Sequence, residues 1–153
     1  MSQSNLDMPA EGRFDGREHR FPLRVYFEDT DLSGIVYHAN YLRYFERARS
    51  DMLRLAGIDQ RETFEAGGGV YAVSSLDIKY RAPAKLDDAL VVVTRLTQVR
   101  AAAVHIHQRV IRDTQTLAEA DVIAVLVTPN GRPMRQPREW ADAFHRLLWE
   151  GTT

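Results

Sequence analysis

Two hydrophobic periods divide the chain, and the point where one gives way to the other limits what it can fold into. From about His38 to Ala56, the residues Tyr41, Phe45, Ala48, Met52 and Leu55 recur at helical spacing, while Arg43, Arg47, Ser50 and Arg54 fall on another side. Gly57 stands where a left-handed cap would stop that helix. After Gly69 the pattern is β until about residue 128. "VYAVSSLDIKYRA" reads as a long strand closed by Pro83, and "DDALVVVTRLTQVR" and "AAVHIHQRVIRD" as two more joined near Arg100. "TQTLAEADVIAVLVT" supplies another, ending at "PNGRP". Ahead of the helix, residues 21–29 ("FPLRVYFED") alternate as a first strand, broken by "DLSGI". "TFEAGGGV" reads as a loop after a short helical turn, and Trp140, Phe144, Leu147 and Leu148 mark a short terminal helix.

Strand, long helix, then four consecutive strands is an α+β layout with a mainly antiparallel sheet of about five strands. One helix of about 19 residues covers a single face of such a sheet. Runs such as "ALVVV" and "DVIAVLV" carry more apolar positions than one covered face needs, so the expectation is a homo-oligomer, dimer or tetramer. The first twenty residues mix charges with Ser, Gly and Pro and lack an apolar signal core. They read as a loosely ordered tail, 1–20, before a single domain, 21–150.

The 153 residues suit one domain with a real core. A net charge of -1 gives no electrostatic footprint for nucleic acid. With no cysteine, disulfides, thiolate metal sites and cysteine nucleophiles are excluded. No apolar run approaches the roughly 18 residues that span a bilayer. A cytoplasmic protein is the default reading.

Three carboxylates, Glu28, Asp29 and Asp31, sit just before the apolar "GIVY". As a metal site, the Asp29-Thr30-Asp31 pair lacks the further carboxylates such sites need. It also reads as a solvated loop. The third reading is catalytic. A helix start presents unpaired amide N–H groups and partial positive charge, a donor set able to polarise a carbonyl. A carboxylate seven residues earlier, across a Ser-Gly turn, can act on the same carbonyl as nucleophile or base, with His38 orienting a carbonyl, leaving group or water.

Residues 24–53, "RVYFEDTDLSGIVYHANYLRYFERARSDML", strongly resemble the 4-hydroxybenzoyl-CoA thioesterase-like branch of the hot-dog superfamily. They are most similar to the acyl-CoA thioesterases associated with the bacterial Tol–Pal gene cluster. The motif D-x-x-G-x-V-Y-H-x-N-Y runs from Asp31 to Tyr41, and the likeness continues through "DIKYRAPAKLDDALVV" and "EADVIAVLVTP". The resemblance implies a hot-dog fold, a curved antiparallel sheet wrapped around one long central helix, with two sheets pairing edge to edge in a dimer. It also implies hydrolysis of an acyl-CoA to a free acid and coenzyme A. Asp31 maps to the catalytic aspartate and His38 to the histidine at the helix start. Gly34 maps to the glycine that permits the turn and close substrate approach, with Tyr37 beside it in the substrate site. Glu28 and Asp29 would shape the loop. No cofactor or metal is expected, because a thiolate leaves without strong acid assistance.

Two departures stand out. Many members have a tyrosine four residues before the aspartate, where this chain has Phe27, with Tyr26 adjacent. Related enzymes can also carry a basic run between the third and fourth strands that grips coenzyme A phosphates, and here "VRAAAV" keeps only Arg100. Arg81 and Lys85 in "YRAPAK" are the other candidates. His105 and His107 lie on one strand face, read as polar outer surface because zinc needs a third ligand. Arg43, Arg47, Arg49 and Arg54 read as a solvated helix face partnered by residues such as Asp51. Competing functions are a hot-dog dehydratase acting on hydroxyacyl thioesters, and a non-catalytic acyl or partner-binding module linked to envelope or phospholipid metabolism.

Overall fold

A computed structural model describes residues 6–151. The helix stands where its period puts it: α1 spans Asn40–Leu55. Tyr41, Tyr44, Phe45, Ala48 and Met52 form its buried stripe, and Arg43, Arg47 and Arg54 face solvent. Gly57, at φ 88°, ends it. The Gly57 N–H donates to the Arg54 carbonyl at 3.1 Å and the Ile58 N–H to that of Leu53 at 2.9 Å, the paired bonds of a Schellman cap. A short second helix, α2 (Gln60–Glu65), follows, started by the Asp59 carboxylate accepting the Glu62 N–H.

Six strands form one antiparallel sheet: β1 (Arg13–Asp15), β2 (Glu18–Arg24), β3 (Val70–Tyr80), β4 (Ala89–Val99), β5 (Ala103–Arg112) and β6 (Gln115–Val127), in the order β1-β2-β4-β5-β6-β3. β4, β5 and β6 form a meander because tight turns join them. β3 crosses over to pair with β6 and becomes an edge, mostly exposed along its length. The inner face of the sheet and the buried stripe of α1 share one core, with Val92, Leu96, Val110 and Val122 packed with Phe45, Ala48 and Met52. A terminal helix, α3 (Arg138–Leu147), closes the end through Phe144.

Two expectations at the N-terminus need correction. Residues 1–5 lie outside the described residues, but the rest of the expected tail contains β1 and the first three residues of β2, which pair as a hairpin. Its Gly, Asp and Arg residues hide strand character because β1 is short and at the edge. His19 of that hairpin is fully buried, its Nε2 2.7 Å from the Asp51 carboxylate on α1. Asp51 is therefore an interior residue, and of the helix arginines only Arg54 reaches it, at 3.9 Å from the carboxylate's other oxygen. The first strand does not reach residue 29 either. It stops at Arg24, and residues Phe27–Asp29 form a 3₁₀ turn.

Candidate active site

The acidic loop is a tight hairpin standing on the first turn of α1. Thr30 bridges to Val36, the Asp31 N–H donates to the Ile35 carbonyl at 3.0 Å, and the Gly34 N–H to the Asp31 carbonyl at 3.0 Å. Gly34 adopts φ 81°, the left-handed conformation that closes a three-residue hairpin loop at little cost only for glycine. A Cβ there would meet no atom within 4 Å, so the turn itself, and not crowding within the chain, calls for glycine. The returning arm is held by the 84–85 segment: the Val36 N–H donates to the Ala84 carbonyl at 2.9 Å, and Ile35 bridges to Lys85.

Asp29 and Asp31 have opposite situations. Asp29 is buried, and its carboxylate accepts the Tyr26 N–H and the Asn40 side-chain amide, each at 2.8 Å. It shapes the loop, as the sequence suggested. Asp31 is exposed and accepts both the N–H and the hydroxyl of Ser33. Those two bonds, the hydroxyl foremost, hold its carboxyl below the ordinary carboxylate range, with a smaller contribution from His38. Asp31 is thus an ionised carboxylate presented outward on a rigid turn.

Helix α1 begins at Asn40 with Ala39 at its N-cap, so no side chain caps the first turn. Ser, Thr, Asp or Asn at that position would occupy one of the helix-start amides; here the Asn40 N–H donates to the Tyr37 carbonyl at 2.8 Å and the Leu42 N–H to the Ala39 carbonyl at 3.2 Å, while the Tyr41 N–H between them makes no such bond. His38 lies at this start between two aromatic rings, 4.6 Å from Tyr37 and 6.3 Å from Tyr80. The Tyr80 hydroxyl donates to the His38 carbonyl at 2.7 Å, tying β3 to the helix start. His38, Tyr41, Tyr80, Arg81 and Pro83 line a cleft of about 300 Å³. Tyr80 and Ser33 were not singled out in the sequence reading; only the quoted "DIKYRAPAK" and "DLSG" contained them.

The other sequence candidates fall in different places. Tyr37 is half exposed beside His38. Arg81 lines the cleft but its guanidinium is 3.0 Å from Glu119. Lys85 sits against the loop, its N–H donating to Asp88, whose carboxylate also binds Arg112. Arg100 lies in the turn after β4, at the opposite end of that eleven-residue strand from Lys85, and one chain does not bring it to the cleft. Phe27 and Tyr26 are both largely exposed near the loop. His107 pairs with Asp121 on the outer sheet face, and among the described residues no group of three metal-binding side chains occurs.

The model of the Thioesterase-like superfamily matches residues 25–146. The chain belongs to this superfamily. It is 42% identical over 128 residues to the acyl-CoA thioesterase YbgC of Haemophilus influenzae, covering 83% of this chain and 94% of that protein. The acyl-CoA thioester hydrolase YbgC of Escherichia coli O157:H7 is 41% identical, with 82% and 94% covered. Among solved structures, a probable thioesterase from Bartonella henselae superposes with a TM-score of 0.75 at 35% identity, covering 78% of this chain and 99% of that one. The sheet wrapped around α1 is the hot-dog fold of this superfamily. No helix among the described residues is long and apolar enough to cross a membrane.

Proposed function

We propose that this protein hydrolyses acyl-CoA thioesters to a free carboxylic acid and coenzyme A, with Asp31 as the reacting carboxylate. The observation that carries the reading is the pairing of an exposed, Ser33-stabilised Asp31 with the uncapped start of α1 on one short hairpin. The helix-start amides would hold the thioester oxygen as negative charge develops on it. Two routes are open to Asp31. Its oxygen attacks the carbonyl carbon, the C–S bond breaks, coenzyme A leaves as thiolate, and water then hydrolyses the mixed anhydride. Alternatively, Asp31 takes a proton from water while that water attacks, and the thiolate leaves directly. His38, at the cleft, orients the substrate or the attacking water. Arg81, which lines the cleft, and Lys85, beside the loop, are the cations assigned to the coenzyme A phosphates.

The working unit in this reading is a homodimer. The long edge strand β3 offers unpaired backbone and half-exposed Val70, Val73 and Tyr80 beside the cleft, the kind of edge a second copy completes. Cytoplasmic location goes with the substrate, since coenzyme A thioesters are made and consumed there.

Thiol release from a panel of short, long and aromatic acyl-CoA compounds tests the activity. A single turnover in ¹⁸O-water then tests the routes: label in Asp31 with unlabelled product acid marks an anhydride opened at the Asp31 carbonyl, and where the label is in the product acid, trapping of Asp31 by hydroxylamine separates an anhydride opened at the acyl carbon from water activated directly. Absence of thiol release from every compound would overturn the reading.

A further inference from the structure

The cleft at the helix start is not the only space between α1 and β3. A cavity of about 340 Å³ lies farther along the same helix, lined by Leu42, Glu46, Arg49 and Leu53. Those positions continue from His38 at spacings of three and four, which places them on one helix face. The opposing wall is β3: Tyr80 borders the cleft, while Leu76, Val73 and Tyr71 border the cavity. A bulge between Val73 and Ser75 keeps these side chains on one face across the register shift. Cleft and cavity therefore share both walls.

Within this mostly apolar cavity stands one half-buried cation. Arg49 donates to the Gln108 side-chain oxygen at 2.9 Å. Gln108 is fully buried and committed elsewhere, its amide donating to the Phe45 carbonyl and the Thr94 hydroxyl, each at 3.0 Å. The guanidinium is thus held by a neutral partner that fixes its direction and supplies no charge. Among the described residues no carboxylate lies within ion-pair distance of it; Glu46 lines the same wall but is exposed. A cation taken out of water without a counter-ion is costly, and an arginine does not shed its proton to relieve that cost. Its planar fork suits a carboxylate.

We propose that this cavity receives the acyl group, and that Arg49 selects acyl groups whose far end carries a carboxylate, the monothioesters of dicarboxylic acids. The inference rests on the thioester-hydrolase reading and adds its substrate class. Arg49 lies nine positions after Asn40, about 13 Å along the helix axis, and a long helical side chain leans back toward the N-terminus. A medium-length chain fits that interval.

The test compares kcat/KM for hexanoyl- and octanoyl-CoA with adipyl- and suberyl-CoA in the wild type, Arg49→Met, Arg49→Lys and Glu46→Gln. The wild type should favour the carboxylate-ended substrates. Arg49→Met should lower their kcat/KM at least about tenfold more than that of the plain acyl substrates, and Arg49→Lys should restore part of it. Glu46→Gln, at an exposed position, should raise adipyl-CoA turnover roughly two- to fivefold. Product inhibition by adipate, set against hexanoate, should follow the same pattern. Equal losses on both substrate types, with adipate inhibition unchanged, would reduce Arg49 to a packing residue and overturn the proposal. If the wild type releases no thiol from any acyl-CoA, the functional reading fails instead, and calorimetric adipate binding to wild type and Arg49→Met still decides the cavity's preference: Arg49-dependent binding supports it, and its absence overturns it.

Discussion

The Asn40 side-chain amide donates a 2.8 Å hydrogen bond to Asp29, and that bond fastens the acidic loop to the first turn of α1. Asp29 is buried and Asp31, two residues on, is exposed. Substitutions at the two should therefore separate stability from chemistry. Asp29→Asn and Asn40→Ala should each cost about 1–3 kcal/mol in urea unfolding, the scale of a disrupted buried hydrogen bond to a charged group. Asp31→Asn should leave unfolding within about 0.5 kcal/mol of the wild type and cut thioester hydrolysis by roughly 10²-fold or more. Equal loss of activity in Asp29→Asn and Asp31→Asn would sink the division of roles.

Ser33 favours the ionised form of Asp31, the carboxylate proposed to react. Its hydroxyl and N–H stabilise ionised Asp31, so the folded pKa lies below that of an ordinary aspartate and the carboxylate persists to lower pH. Ser33→Ala removes the hydroxyl, the larger contribution, and should move the Asp31 titration upward. Carbon-detected NMR of the aspartate carboxyls checks this directly. An unmoved titration would mean that the hydroxyl bond does not persist in solution.

In the proposed mechanism His38 contributes through both its imidazole and the backbone at the helix start. His38→Ala keeps every amide and should lose about 10- to 10³-fold in rate, while retaining measurable hydrolysis. Tyr80→Phe keeps the ring beside His38 but removes the 2.7 Å bond to its carbonyl, and should act on the same step more mildly. Full activity in His38→Ala would remove the imidazole from the mechanism.

The period of the apolar residues was enough to place α1, its glycine cap and the four later strands, because each of these segments is long and one-sided. It failed where chemistry other than burial decides. Residues 25–29 alternate like a strand, but the Asp29 carboxylate bonds the Tyr26 N–H and winds them into a 3₁₀ turn. Arg49 looked like another member of a solvated arginine face; only the Gln108 bond from a distant strand shows that it turns inward. The motif points to Asp31 and His38 by resemblance, whereas Tyr80 approaches from 42 residues away and has no local signature. Among the expected cations, Arg100 shows that a residue type alone does not give a place in the fold.

The exposed run of β3 bears on assembly. Light scattering on dilute protein should give twice 17.5 kDa or a higher even multiple. Val73→Lys places a charge on the half-exposed edge and should shift the population toward monomer, with hydrolysis falling in parallel. A wild type that is a stable and fully active monomer would contradict the dimeric reading.

The last prediction concerns the pair that attaches the N-terminal hairpin to α1. His19 is fully buried, its Nε2 lies 2.7 Å from Asp51, and the same carboxylate oxygen accepts the Gly12 N–H at 3.0 Å. Its other ring nitrogen, Nδ1, is buried without a partner among the described residues, with the edge-on Phe14 ring 5.4 Å away. A neutral ring that donates from Nε2 leaves a lone pair at Nδ1; a protonated ring would bury an N–H donor with no acceptor. Burial lowers the His19 pKa, outweighing the opposing pull of Asp51. The folded state then binds fewer protons than the unfolded chain at pH values between the two pKa values, so stability rises with pH there. The His19 contribution is complete above the unfolded value of about 6.5 and is lost as pH falls below it. Urea unfolding between pH 8 and pH 5 should show this loss, with a slope from this one group no steeper than about 1.4 kcal/mol per pH unit. His19→Gln can still donate to Asp51 but does not titrate, so its stability should vary less over the same interval. Identical pH profiles for the two proteins would show that His19 is not the group that titrates.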